Sequence, residues 1–293
     1  MYNFVVVVDD AAARITHVIR GEDHISNTPK QILLYQALGL TTPQFAHIPL
    51  ILNKEGARLS KRDGATSVCA YRSAGYLPDA FLNYLVRLGW SHGDQEIFTR
   101  QELVQLFTLE AVGKKGAVFD TEKLAWLNGQ YMKQADNHAL YQAIVDDVDP
   151  QFCQAIVGWT LAQREALIGL YKERTRTLSE LAQVLKKLYM LPEVYDAQGM
   201  TQWVTTATVD HCAALMTVFD ALAPDDWSAQ VLTSAVKSCA AELNVKLPAL
   251  AQPIRLALTG TTESPSVFEL LAVLGKGESL ERLRLFIAAI AAS

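Results

Sequence analysis

"ITHVIRGEDHISNTPKQILLYQALGLTTPQFAHIPLIL", residues 15–52, carries two kinds of local signal. The opening ITHVIR (15–20) reads as a strand. NTPKQILLYQALG (27–39) offers Asn27 or Thr28 as N-cap, Pro29 in the first turn and Gly39 as the stop, which predicts a helix. FAHIPLIL (45–52) returns to strand composition. Strand, helix, strand is the unit of an α/β nucleotide-binding layer. Upstream, FVVVV (4–8) reads as one more strand, apolar on both faces, and as an aggregation-prone edge if left uncovered. About sixty residues of this texture are too few for a doubly wound sheet, which uses two such halves.

Just past these elements comes GARLSKRDGATS (56–67), which sets Arg58, Lys61 and Arg62 on a polar loop flanked by Gly56 and Gly64. Concentrated positive charge on a hinged loop beyond a strand suits a polyphosphate. From about residue 64 onward the pattern is almost wholly helical. LPDAFLNYLVRLG ends at Gly89, and TRQEL (99–103) fits a capping box of Thr99 with Glu102. Leu178, Leu181, Ala182, Leu185, Leu188 and Tyr189 follow helical spacing. Val267, Leu270, Leu271 and Leu274 form a second stripe, and Leu280, Leu283, Ile287 and Ile290 a third. Trp126, Trp159, Trp203 and Phe119 stand in apolar contexts and read as core.

The whole chain of 293 residues is long enough for two or more domains with a sizeable core. Half its residues are hydrophobic and its charge content is ordinary, which excludes a disordered or fibrous chain. A net charge of −5 excludes nucleic-acid binding by sheer basicity but leaves local basic patches open. Cys69, Cys153, Cys212 and Cys239 show no C-x-x-C spacing, so buried thiols in a reducing compartment are expected rather than disulfides or a zinc site. No apolar run is long enough to span a bilayer and no signal-type segment opens the chain. The expected location is the cytoplasm.

YNFVVVVDD, ITHVIRGEDHISNTPKQILLYQALG, FAHIPLIL and RLSKRDGATSV together resemble the second half of the catalytic core of bacterial glutamyl-tRNA synthetases. RLSKR is similar to the family's form of the class I KMSKS signature. FDTEKLAWLNGQY resembles the segment that ends its acceptor-stem contact region. KERTRTLSEL and PIRLALTGTTESPSVFELLAVLGKGESLERL resemble its helical anticodon-binding region. The family's earlier H-x-G-H signature has no counterpart, because no two of His17, His24, His47, His92, His138 and His211 are three apart. The chain is therefore expected to be a C-terminal portion of such an enzyme, inactive until the missing half is supplied. The implied fold is mainly α: a partial Rossmann-like α/β segment followed by an all-helical stem-contact and anticodon-binding region. The expected domains are 1–63, ending in the KMSKS-type loop, 64–136 for stem contact, and 137–196 and 197–293 for two anticodon-binding subdomains.

The resemblance implies ATP, with Mg²⁺ arriving as part of the substrate complex, L-glutamate, and tRNA-Glu or also tRNA-Gln as ligands of a monomer. Pyrophosphate gains negative charge as it leaves, so cations that close on it late favour the transition state. That assigns the ATP loop to Arg58, Leu59, Ser60, Lys61 and Arg62, with Lys61 as the catalytic cation. Arg58 stands where the family often has Lys, which keeps the charge and changes the geometry. Tyr2 and Arg20 match positions lining the amino-acid pocket, and a guanidinium suits a carboxylate; the competing reading of Arg20 is a surface pair with Glu22 or Asp23. Arg174 and Arg176 match a basic stretch of the anticodon region, where arginine can stack on an unstacked base. Lys114 and Lys115 read as phosphate contacts. Glu22, Asp23 and His24 lack a ligand constellation, so no protein-bound metal is expected; His24 reads as a capping or supporting group. The helical tail argues against glutaminyl enzymes, whose anticodon domains are β-barrels, and against shortened relatives that lack an anticodon domain. A stand-alone tRNA-binding module without chemistry is the alternative, and a helical scaffold protein fits the charged loop poorly.

Overall fold

The computed structural model describes residues 1–60 and 67–291. Lys61, Arg62 and Gly64 of the charged loop lie outside the described residues. The chain divides into two compact units, Met1–Tyr131 and Met132–Ser293.

In the first unit, β1 (His17–Gly21) and β2 (Gln44–Ile48) pair in parallel, with Arg20 opposite His47. The crossover between them is a 3₁₀ turn, Glu22–Asn27, running directly into α2 (Thr28–Ala37). Because the turn already has helical geometry at Asn27 (φ −85°, ψ −26°), neither Asn27 nor Thr28 makes the expected side-chain cap, and the Asn27 amide turns to His24 instead. The chain leaves α2 through Gly39 at φ +67°, the left-handed geometry that glycine adopts without strain. Pro49 splits the expected 45–52 strand, since it has no N–H for the ladder. The remainder, β3 (Ile51–Leu52), pairs in parallel with β4 (Ala117–Val118).

FVVVV is not a strand. Residues Tyr2–Ala12 form α1, which places Asn3, Val6, Val7, Asp10 and Ala11 on one partly or fully buried stripe, Val7 being wholly buried. Gln31 of α2 donates to Asn3 Oδ1 at 3.1 Å, so α1 is held by α2. A short apolar run fits strand or helix equally in sequence, and here packing decides. The expected aggregation-prone strand edge falls with the strand; Phe4, Val5 and Val8 form an exposed helix face instead.

The rest of this unit is α3 (Val68–Ser73), α4 (Pro78–Gly89), α5 (Arg100–Leu106) and α6 (Thr121–Gln134). Phe81 and Tyr84 of α4, Phe119, and Leu124 and Leu127 of α6 make one core; Leu59 packs against it from the charged loop. Thr99 and Glu102 form the expected capping box of α5. Trp126 is 42% exposed, contrary to its reading as core, while Phe119 and Trp159 are buried.

The second unit is helical throughout: α7 (Asn137–Ala143), α8 (Phe152–Ala155), α9 (Leu161–Tyr171), α10 (Leu178–Tyr189), α11 (Ala197–Trp203), α12 (Thr208–Ala221), α13 (Ala229–Glu242), α14 (Pro248–Thr259), α15 (Val267–Leu274) and α16 (Lys276–Ala291). The α15 stripe is buried as expected, and so is the α10 stripe except Tyr189, which is half-buried. On α16 the buried face is Ser279, Leu280, Arg282, Leu283 and Phe286, with Ile287 and Ile290 only half-buried. α16 packs against α12 and α14, and α15 against α9 and α13. The cysteines are free: Cys212 and Cys239 are buried as expected, whereas Cys69 is exposed and Cys153 half-buried.

Candidate functional site

At the carboxyl end of β1 the Arg20 guanidinium is enclosed by polar groups of the first unit. Its Nη2 donates to Thr28 Oγ1 at 2.8 Å and to Gln31 Oε1 at 2.9 Å, and its guanidinium carbon lies 5.4 Å from the Phe45 ring centroid. These bonds, rather than an ion pair with Glu22 or Asp23, hold the side chain. Thr28 Oγ1 is also 2.9 Å from His47 Nε2. The Arg20 Nε is buried with no hydrogen-bond partner, so one donor of the fork is still unsatisfied. Tyr2, half exposed, lies 6.1 Å from the His24 ring. The strand end thus gathers Tyr2, Arg20, His24 and the Thr28–Gln31 face of α2.

Glu22 and Asp23 serve the loop that follows. Glu22 Oε1 accepts from the Leu50 N–H at 3.2 Å, and Asp23 pairs with Arg58 at 3.1 Å. The chain between β3 and Leu59 is a tight turn: Asn53 N–H donates to Ala57 O, Gly56 sits at φ +79°, and Leu59 N–H returns to Ile51 O at 2.9 Å. Arg58 is thereby presented at the edge of a cavity of about 430 Å³, lined also by Gly21, Leu50, Leu59, Tyr71 and Phe81. A Cβ at Gly21 would lie 2.6 Å from the Asp23 carboxylate, so any side chain there would have to displace Asp23. Ser60 is described and Lys61 and Arg62 are not. Among the described residues no group of three His, Cys, Asp or Glu side chains is placed to hold a metal.

Lys114 and Lys115 lie elsewhere in the same unit, exposed beside a cavity of about 530 Å³ lined by Arg87, Trp90 and Ser91. Neither has an ion-pair partner among the described residues. Arg87, by contrast, is engaged by Glu96 at 2.7 Å.

The second unit holds a separate pocket of about 480 Å³, lined by Tyr171, Arg174, Lys187, Asp196 and the hydroxyl-rich residues Thr259, Thr261, Thr262 and Ser264. Arg174 and Lys187 are exposed with no acidic partner among the described residues, whereas the Arg176 backbone N–H is bound by Glu180 at 2.7 Å. Arg255, half-buried, donates to Ser264 O at 3.1 Å; burial, then the charge of Arg174, lowers its pKa. Burial pushes the Tyr171 hydroxyl up to about 12 against the pull of Arg282, Arg174 and Arg255, so it is a neutral donor. Gly260, at φ +71°, ends α14 and turns the chain into the pocket wall, and a Cβ there would meet Val194 O at 3.0 Å. The pocket therefore combines two cations, Arg174 and Lys187, two carboxylates, Asp196 and Glu263, several hydroxyls and a phenol ring.

Thr28, Gln31, His47 and Lys187 escaped sequence reading. Gln31 is 1% exposed on the same helix face as Tyr35, and a lone amide on an apolar face is the signal that could have found it.

The family described as class I tRNA synthetases (E and Q), catalytic domain, matches residues 1–126, and the one described as anticodon binding domain matches residues 124–287. A glutamate–tRNA ligase of Syntrophobacter fumaroxidans is 48% identical over 96% of this chain and 59% of its own length. That of Geobacter sulfurreducens is 47% identical over 97% of this chain and 60% of its own. A crystal structure of a glutamate tRNA ligase from Elizabethkingia meningosepticum in complex with its amino acid superposes with a TM-score of 0.85 at 31% identity, over 98% of this chain and 60% of that one. The chain spans about 60% of the length of the relatives it matches.

Proposed function

We propose that this chain, which belongs to the glutamate–tRNA ligase family of class I tRNA synthetases, carries part of the machinery that activates L-glutamate with ATP and transfers it to tRNA-Glu. In the first step a glutamate carboxylate oxygen attacks the α-phosphorus of ATP, forming glutamyl-adenylate and releasing pyrophosphate with its Mg²⁺. In the second, a ribose hydroxyl at the tRNA 3′ end attacks the acyl carbon and AMP departs. Positioning and charge stabilisation supply most of the acceleration in such chemistry.

The observation that carries this reading is the convergence of Tyr2, Arg20 and His24 at one strand end, with Arg58 presented on the loop beside it. Arg20 binds a carboxylate of glutamate with its partly satisfied fork, and Tyr2 packs along the substrate. Arg58, Leu59, Ser60, Lys61 and Arg62 form the loop that closes on the triphosphate. Leu59 anchors that loop in the core, and Lys61 meets the leaving pyrophosphate. Lys114 and Lys115 contact tRNA phosphates, the pocket beside Arg174 receives an unstacked anticodon base, and Arg176, two residues on, also contacts the tRNA.

Glutamate-dependent ATP–pyrophosphate exchange with tRNA-Glu present tests the reading, on this chain alone and with a polypeptide supplying the remaining length of the relatives. Exchange that needs both parts, and fails when Lys61 is replaced, supports it. Absence of exchange in every combination, with tRNA binding retained, would leave a tRNA-binding module without chemistry. The separate pocket of the second unit, with Arg174 and Lys187 in its lining, favours that alternative as the next reading.

A further inference from the structure

We infer that Arg282 is a positioning residue for the 480 Å³ pocket of the second unit, setting the spacing of two of its walls and hence which base it admits. The inference rests on the reading of that pocket as an anticodon-base site. Two of its walls are helix ends, and Tyr171, Arg174, Thr175 and Asp196 line the rest. The last turn of α10 contributes Lys187 and Leu188, and the end of α14 with the chain beyond it contributes Thr259 and residues 261–264. At such ends the final carbonyls lack partners within the helix and carry the negative pole of the helix dipole.

One buried guanidinium bridges them. Arg282, at 0% exposure, donates from Nη1 to Leu258 O at 2.6 Å and from Nη2 to Leu188 O at 2.6 Å. Its charge is met by Glu278, whose Oε1 accepts from Nε at 3.0 Å and from Nη2 at 2.6 Å. The other Glu278 oxygen accepts from the Trp159 indole N–H at 3.2 Å, so the carboxylate is itself fixed. A planar fork held on several sides sets the separation of the two carbonyls, which a flexible ammonium does not. One of those carbonyls belongs to Leu188, which lines the pocket; the other belongs to Leu258, next in sequence to the lining residue Thr259. Buried ion pairs are poor sources of net stability compared with apolar replacements, and their best-attested use is to fix one arrangement among several.

The test measures binding of the full chain to tRNA-Glu and to tRNA-Glu with each anticodon base replaced in turn. It compares the wild type with Arg282→Met and Arg282→Lys. The ratio of the affinities is read because the folded fraction cancels in it. The wild type is expected to prefer its tRNA by at least tenfold at one position. Arg282→Met should lose most of that preference, and Arg282→Lys should restore part of it. A folded Arg282→Met with undiminished preference would overturn the inference. Should Arg282→Met fail to fold, Glu278→Gln carries the test, because it keeps Arg282 on both carbonyls but weakens the carboxylate anchor. A severalfold loss of preference is then expected, and wild-type preference would overturn the proposal. A wild type that binds all the tRNAs alike overturns the pocket reading before any substitution is made, and the inference with it.

Discussion

Single side chains show where charge is held and where it is spare. Arg20 is held by neutral acceptors, Thr28 and Gln31, so its own charge is still available to a carboxylate. Arg20→Lys, which cannot reproduce the fork, is expected to raise the KM for glutamate more than it lowers kcat in exchange assays of the complemented enzyme. Lys61→Ala in the same assay should lower the rate by about 10²–10³, the usual loss for one preorganised charge-stabilising donor. Arg58 is paired with Asp23 at an exposed site, so Arg58→Ala should change stability by less than about 1 kcal/mol in urea titrations. The thiols differ by environment. Cys69 is open to solvent, whereas burial pushes Cys212 up to about 12. A disulfide reagent at neutral pH should label Cys69 at once and Cys212 only on unfolding. The sequence named Arg20 but not its partners, because Thr28 and Gln31 meet it, and His47 meets Thr28, only through the β1–β2 pairing and the turn into α2.

Elements were legible where their signals are local. The capping box of α5, the α10 stripe and the α15 stripe involve residues within one or two turns of each other, and each formed as its spacing required. Thr99→Ala is expected to cost about 0.5–2 kcal/mol, measured by chemical denaturation. Asn83, wholly buried on α4, accepts from the Phe98 N–H at 2.7 Å and donates to Glu96 O at 2.9 Å, tying residues 96–98 to the helix. Glu96 in turn is bound by Arg87 and Lys123. The hydrogen bond from Arg87, followed by that from Lys123, holds its carboxyl below the ordinary 4.5 despite burial. A lowered folded pKa contributes stability that is present above about pH 4.5 and is lost as the pH falls through the folded value. The midpoint of unfolding should therefore drop in that acid range, and Glu96→Gln should flatten the drop. α1 failed in sequence because its valines carry no periodic polar partners to distinguish strand from helix; its place against α2 decided it.

Across the molecule, two compact units differ in how their apolar surface is covered. In the first, Phe4, Val5, Ile19, Ile48 and Leu85 are more than a third exposed, and the sheets have two strands each. The second has a continuous helical core, from Ile144 to Phe286, with many side chains at 0% exposure. Limited proteolysis is expected to cut the first unit sooner and leave a fragment from about residue 132 onward, and denaturation should show two transitions. A single transition with cleavage spread evenly over both units would contradict this. Sequence alone determined that the chain is mainly helical, that residues 15–48 hold a strand–helix–strand unit, which family it resembles, and which cations sit on the loop beyond. Those are properties of composition, spacing and short motifs, and each is carried by residues close together in the chain. Tertiary structure alone decided that Arg282 lies on a buried face, that Trp126 lies outside the core, that residues 2–12 are a helix, and that Arg174 and Thr259–Ser264 share one pocket. Contacts between residues tens of positions apart depend on packing against partners, and no local pattern records which partner wins.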